Sequence, residues 1–233
     1  MDKTDFSKII YLGITGGKNI DWQSKLEEIN QLGIKEAAVF LEQFNKQERD
    51  NLRRFLLESS IKKVPLVHLR SDTGKDEIDF FINNFKTKYF NIHEDHFNLL
   101  GQWEGYWDKL YLEMDYNSEI GKNVKVRKIG GFCVDLAHFK SAIARGSEEA
   151  YYIFMGKNKI KFASNHLGGY SPETKSDLHT ITSLKDFDYL TTLPKWVFGE
   201  VIAIEVYNSI KEQLIFKDYI AKLLSGGIDK FKI

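Results

Sequence analysis

The sequence predicts an α/β chain folded as a single (β/α)8 TIM barrel. Three observations carry that expectation. Short apolar runs rich in Val, Ile, Phe and Tyr recur eight times in 233 residues. Most are followed by an amphipathic stretch, and the spacing of about 30 residues per unit suits a compact barrel.

The runs are IIYLGIT (9–15), AAVFLE (37–42), VPLVHL (64–69), YFNIH (89–93), LYLEM (110–114), GFCVDL (131–136), KFASNH (161–166) and VIAIEVY (201–207). Their near-continuous hydrophobicity suits strands covered on both faces, as in a parallel sheet. A doubly wound open sheet is the structural alternative. The stretch after the first run, Gly13-Ile14-Thr15-Gly16-Gly17, lacks the GxGxxG that would support it.

The intervals carry helical signals in turn. Asp21 caps WQSKLEEINQLG, whose Trp22, Leu26, Ile29 and Leu32 recur at helical spacing up to Gly33. Residues 45–59 place Leu52, Phe55 and Leu56 on one face, and 75–86 do the same with Ile78, Phe81, Ile82 and Phe85. The interval 117–131 reads as a loop or hairpin. Phe139–Arg145 is a short helix closed by Gly146, and SEEAYYIF after it offers another. A helix over 186–193 stops at Pro194, and the last, about 210–224, ends at Gly226-Gly227. No Pro-rich linker, low-complexity tract or charge block marks a boundary, so one domain over 1–233 is expected.

Composition excludes little but bounds the rest. Lys+Arg and Asp+Glu both number 33, so no overall basic field points to nucleic acid, though a local groove stays compatible with neutrality. The single Cys133 excludes an intramolecular disulfide and reads as a buried structural thiol. The N-terminal MDKTDFSKII is too polar for a secretory signal, and no apolar run reaches membrane-spanning length. The expectation is a cytoplasmic protein without a membrane partner.

Barrel enzymes build their sites at the C-terminal ends of the strands. There, six successive runs offer a His, Asp or Glu: His68, His93, Glu113, Asp135 with His138 just beyond, His166 and Glu205. Asp177 and His179 follow in SDLHTI. A lone strand-end histidine is more often a hydrogen-bonded core or surface residue than a ligand, but this chain places five of its six histidines in such positions. Glu113 and Glu205 interrupt apolar runs, where an unpaired carboxylate is costly to bury, and metal coordination is one way to satisfy them. His96 reads as a solvated loop residue and Glu42 as an ordinary carboxylate ahead of a helix. Trp103, Tyr106 and Trp107 in GQWEGYW could stack on a sugar or base but are expected to pack a loop. HLGGYSPE (166–173) reads as a flexible active-site loop.

The motif order resembles the xylose isomerase-like TIM-barrel superfamily, which holds sugar isomerases and epimerases together with endonuclease IV-type apurinic/apyrimidinic endonucleases. Glu113, Asp135, His166 and Glu205 match its metal-binding quartet, and DLAH (135–138) its Asp-x-x-His motif. His68, His93 and Asp177-Leu178-His179 are similar to the further ligands of endonuclease IV-type enzymes. That resemblance implies three divalent ions, zinc first and manganese as the alternative. The first would take His68, His93 and Glu113. The second would take Glu113, Asp135, His166 and Glu205, and the third His138, Asp177 and His179.

Such a cluster would hydrolyse a phosphoester, with Glu205 orienting or deprotonating the attacking water. The substrate would be a small phosphorylated or sugar molecule, or nucleic acid with an abasic or phosphodiester target. HLRSDTG (68–74) carries Arg70 where endonuclease IV-type enzymes have a tyrosine, and Gln43, Phe44 and Asn45 offer no arginine wedge. A sugar or sugar-phosphate isomerase with Glu113 and Glu205 as acid/base pair and His138 on the substrate is the alternative. A non-catalytic metal-binding barrel is the third. The sequence carries no sign of oligomeric state.

Overall fold

A computed structural model describes residues 5–17, 20–115 and 119–226. Eight parallel strands close into a barrel: β1 (Ile10–Thr15), β2 (Ala37–Phe40), β3 (Leu66–His68), β4 (Tyr89–His93), β5 (Leu110–Glu113), β6 (Gly131–Asp135), β7 (Phe162–Leu167) and β10 (Val201–Ile204). Each of the eight predicted runs matches one of these strands; the strand is usually shorter than its run, and β7 passes the end of its run by one residue, Leu167. Closure, with β1 pairing β10 in parallel, replaces the open-sheet alternative.

The strands alternate between two apolar environments, which is why the runs read as almost continuously hydrophobic. Ile10, Leu12 and Ile14 of β1, Phe90 and Ile92 of β4, and Ile202 and Ile204 of β10 pack outward with helix residues such as Leu26, Ile29, Leu52 and Ile78. Tyr11, Ala38, Phe40, Leu66, Tyr89, Tyr111, Cys133, Val201 and Ala203 form a second cluster inside the barrel. Continuing that inner face by steps of two leads to His68, His93, Glu113, Asp135 and Glu205 at its C-terminal mouth. On β7 a register shift against β6 inserts Ala163, and only above it does His166 pair with Asp135. The bulge therefore turns His166 inward, while Asn165 reaches the Val134 and Val197 carbonyls instead.

The helices are α1 (Trp22–Gln31), α2 (Lys46–Glu58), α3 (Lys75–Phe85), α4 (Leu136–Arg145), α5 (Glu148–Gly156) and α6 (Ile210–Leu224). Asp21 caps α1 as expected, accepting from the Ser24 N–H, and Gly33 just beyond it has φ +64°. Phe55 and Leu32 differ from expectation: both are exposed, and buried Arg49 takes the inner face of α2 beside Leu52 and Leu56. The short helix expected from Phe139 starts earlier, at Leu136, because Asp135 caps it by accepting from the His138 N–H at 2.8 Å. Residues Leu184–Thr192 form a 3-10 segment rather than an α-helix over 186–193. The 117–131 interval, of which 117 and 118 lie outside the described residues, carries a 3-10 turn at Val126–Lys128.

The seam between β1 and β10 needs help. They pair at Ile10–Ile202 and Tyr11–Ala203, and above this the buried Gln213 amide of α6 bonds both the N–H and C=O of Gly13. A Cβ at Gly13 would lie 1.9 Å from the Ile204 carbonyl oxygen, so the close approach requires glycine. Among the described residues no helix is long and apolar enough to cross a membrane.

Candidate metal centre

All nine residues expected to bind metal meet at the C-terminal mouth of the barrel. Glu113, Asp135, His166 and Glu205 offer donor atoms that lie within 4.8 Å of one another, and so do His138, Asp177 and His179. Within the first set, His166 Nδ1 sits 3.1 Å from Glu113 Oε2 and 3.0 Å from Glu205 Oε2. Within the second, Asp177 Oδ2 lies 3.2 Å from His138 Nε2 and 3.0 Å from His179 Nε2.

The remaining histidines group differently from the expected first set. His68 Nε2 is 3.1 Å from Glu113 Oε2 and 3.1 Å from His93 Nε2. One convergent group is His68, Glu113 and His166; another is Glu42, His68 and His93. The strands explain the split. His93 pairs in register with Glu113, but the Glu113 carboxylate leans into the barrel, where it accepts from Asn91 Nδ2 at 2.8 Å. Glu42, expected to be incidental, comes from the other side of the mouth.

The donor set suits divalent cations, as the second nitrogen of three of its imidazoles indicates. A metal-binding histidine usually donates its other ring N–H to a carbonyl or carboxylate, which turns a lone pair toward the ion. His68 Nδ1 contacts the Leu69 carbonyl at 3.0 Å, and His179 Nδ1 the Glu205 carbonyl at 3.3 Å. His93 Nδ1 faces Asp115 Oδ1 at 3.0 Å. In all three, Nε2 is left pointing into the cluster. These hard oxygen and borderline nitrogen donors match zinc or manganese better than soft-metal chemistry.

Electrostatics tell the same story without an ion. Burial alone would lower the pKa of His93, but Glu113, Asp115 and Glu42 raise it to about 9. His138 behaves alike: against the effect of burial, Asp135 and Asp177 bring it to about 10. The hydrogen bond to Asp177 lifts His179 to about 9. Burial pushes the Asp135 carboxyl up, whereas hydrogen bonds from His138 and His179 hold Asp177 well below the usual carboxylate range. The cluster thus attracts positive charge strongly enough to hold protons on imidazole, and a divalent cation would compete for the same positions.

Several neighbours depart from the sequence reading. His96 is buried, not solvated; its Nδ1 accepts from the His93 N–H at 3.4 Å, its ring meets Trp103 edge-on, and burial lowers its pKa to about 4. HLGGYSPE is not a loose loop: β8 (Gly169–Ser171) and β9 (Ser176–Leu178) form a hairpin that carries Asp177 back over the mouth. Trp103 packs as expected, fully buried with its indole N–H on the Thr73 carbonyl. Cys133 is buried and free inside the barrel, also as expected. Asp115 and Tyr207 are the residues that the sequence did not single out. Asp115 follows run five by one residue, and Tyr207, the last residue of run eight, lays its ring on His179.

A cavity of about 460 Å³ opens beside His93, lined by Glu42, Arg70, Ser71, Asp95, His96 and Asp115. The Arg70 guanidinium is paired to Asp72 at 3.2 Å.

Comparison with known folds returns the same architecture. The chain is similar to a D-tagatose 3-epimerase-like protein, with a TM-score of 0.50 at 14% identity, over 94% of this chain and all of that one. A weaker likeness, TM-score 0.42 at 13% identity, links it to the protein described as SacUVDE, over 93% of this chain and 98% of that one. At such identity the first likeness shows a shared barrel fold, and the second adds nothing to it. Comparison with family models and with curated proteins returned no match.

Proposed function

We propose that this chain is a multinuclear, zinc-dependent phosphodiester hydrolase. The observation that carries the reading is the group His138, Asp177 and His179, assembled beside the buried Glu113, Asp135, His166 and Glu205. An enzyme using one ion needs only the latter four. Three further converging donors, one brought in by a dedicated hairpin, support a centre with more than one cation.

Bound divalent ions would supply Lewis acidity and acidify water at neutral pH. The protein's own groups do the rest. Burial would raise the Glu205 carboxyl, but His166 more than offsets it, so the group is a carboxylate able to accept a hydrogen bond from an attacking water and orient it. Its backbone carbonyl holds His179, tying the two donor groups together. Arg70, its guanidinium held by Asp72 and by the Glu42 and Phe44 carbonyls, lines the cavity that an anion would enter.

Charge balance points to the diester. With Glu42 and Asp115 added to Glu113, Asp135, Asp177 and Glu205, six carboxylates face the six positive charges of three divalent ions. The cationic surplus that four carboxylates would leave is gone. Arg70 is paired with Asp72 and restores none of that surplus, and a nearly neutral centre suits a singly charged phosphodiester better than a dianionic monoester.

The test is turnover of a generic chromogenic phosphodiester by protein purified without chelators, with metal analysis on the same sample. Two to three ions per chain and hydrolysis that is lost on chelation and restored by zinc are expected. A single ion, or none, would sink the reading.

A second reading has one observation in its favour. Glu113 and Glu205 both contact the single His166 Nδ1, an arrangement in which two carboxylates could flank one ion and a sugar carbon beside a carbonyl. The fold likeness to an epimerase-like protein agrees with it. Deuterium incorporation from solvent into a ketose would favour this isomerase; none across a broad sugar panel would count against it.

A further inference from the structure

Glu42 lies in the turn two residues beyond the inward-facing Phe40, the last residue of β2. There its Oε1 lies 3.7 Å from His93 Nε2 and its Oε2 4.0 Å from His68 Nε2, and the two Nε2 atoms are 3.1 Å apart. Zinc bonds of about 2.0–2.1 Å in a tetrahedron place donor atoms about 3.4 Å from one another. The Nε2–Nε2 separation is close to that value, and one Glu42 oxygen lies within 4.8 Å of both nitrogens, so a small inward movement of the carboxylate would complete the set. No lysine or arginine ion pair engages the Glu42 carboxylate among the described residues; the histidines are its ionic partners.

His68 Nδ1 is engaged on the Leu69 carbonyl, and His93 Nδ1 lies 3.0 Å from Asp115 Oδ1, an ion-pair contact without hydrogen-bond geometry. Each imidazole therefore turns Nε2 toward the glutamate. Glu113, the carboxylate that the family resemblance would assign to these histidines, stays 3.1 Å from His68 Nε2 while it also meets Asn91 and His166, so Glu42 adds a second carboxylate on the His93 side.

We propose that Glu42, His68 and His93 form a metal site in which Glu42 is a direct ligand. This inference rests on the multinuclear reading above and adds to it a direct carboxylate ligand from the turn after the second strand. Because Glu42 and His93 also line the cavity that holds Arg70, an ion at this site faces the substrate side of the centre. The site is thus placed to take an anionic oxygen ligand, such as one from a phosphodiester.

The test compares wild type, Glu42→Gln, Glu42→Asp and His138→Ala, each stripped by chelation and titrated with Zn²⁺. Ions retained after gel filtration are counted, and Co²⁺ absorption reports ligand geometry. Glu42 is half-exposed, and glutamine keeps its shape, so the variant should fold; circular dichroism checks this. Wild type is expected to hold three ions. Glu42→Gln should bind one of them at least about 100-fold more weakly, with an altered Co²⁺ band, while Glu42→Asp weakens it less. His138→Ala should lose a different ion and leave that band in place. Three ions of unchanged affinity and spectrum in Glu42→Gln would overturn this inference and leave the multinuclear reading standing. One ion or none in wild type overturns both.

Discussion

His68 and His93 bring their Nε2 atoms to within 3.1 Å of each other at the barrel mouth. Two imidazole lone pairs at that distance need a proton or a cation between them. A cation that binds only the folded chain adds about 2.7 kcal/mol at a hundredfold excess over its Kd. Chelation should therefore lower Tm by about 5–10 °C, since each kcal/mol moves a chain of this size by roughly 2–4 °C. Differential scanning calorimetry with and without chelator, followed by zinc restoration, measures it. An unchanged Tm would argue against any tightly held ion.

Glu205→Gln keeps the shape at the end of β10 but removes the proton acceptor. Diester turnover should fall about 10²–10⁴-fold, as for loss of a general base. Under saturating zinc the Tm of the variant should stay close to that of wild type, and rates measured there separate lost chemistry from weakened metal binding.

Lys25 gives the fold a pH signature. Its Nζ is buried and bonds Thr15 Oγ1 at 2.7 Å and the Val206 carbonyl at 2.9 Å, bracing the seam beside Glu205. Burial lowers its pKa from 10.5 to about 8. Between these values the unfolded chain holds a proton that the native chain has shed, so stability contributed by this group rises with pH across that window. The full rise is about 3 kcal/mol at most. Urea titrations from pH 7.5 to 10.5 should show it, and Lys25→Met should flatten it.

Arg49 and Glu77 form a fully buried pair, with Nε donating to Oε2 at 2.9 Å. Arg49 Nη1 also donates to the Phe44 carbonyl at 3.0 Å, which ties the segment after Glu42 to α2 and, through Glu77, to α3. Glu77→Ala leaves a guanidinium buried beside the half-exposed Asp72 and should cost about 3 kcal/mol in urea unfolding. If that segment places Glu42, the variant should also weaken one zinc ion. A loss of stability with metal affinity unchanged would show that Glu42 is held by other contacts.

Much of this protein is legible along the chain. Eight apolar runs predict eight barrel strands because each strand meets helices on one face and the barrel interior on the other. Period-two alternation then places His68, Glu113, Asp135 and Glu205 on the inner face without knowledge of any distance. The sequence by itself determined the barrel and the residues at its mouth. Only the tertiary structure decided which of them share a pocket. Glu42 resembles any carboxylate ahead of a helix until closure of the barrel brings the β2 end against β3 and β4. His96 reads as solvated until Trp103 covers it, and the hairpin of β8 and β9 that delivers Asp177 is too short to leave a periodic pattern. The side-chain period is a local property of the strand. Separations between strand ends depend on how eight strands are staggered as the sheet closes, and no single segment encodes that.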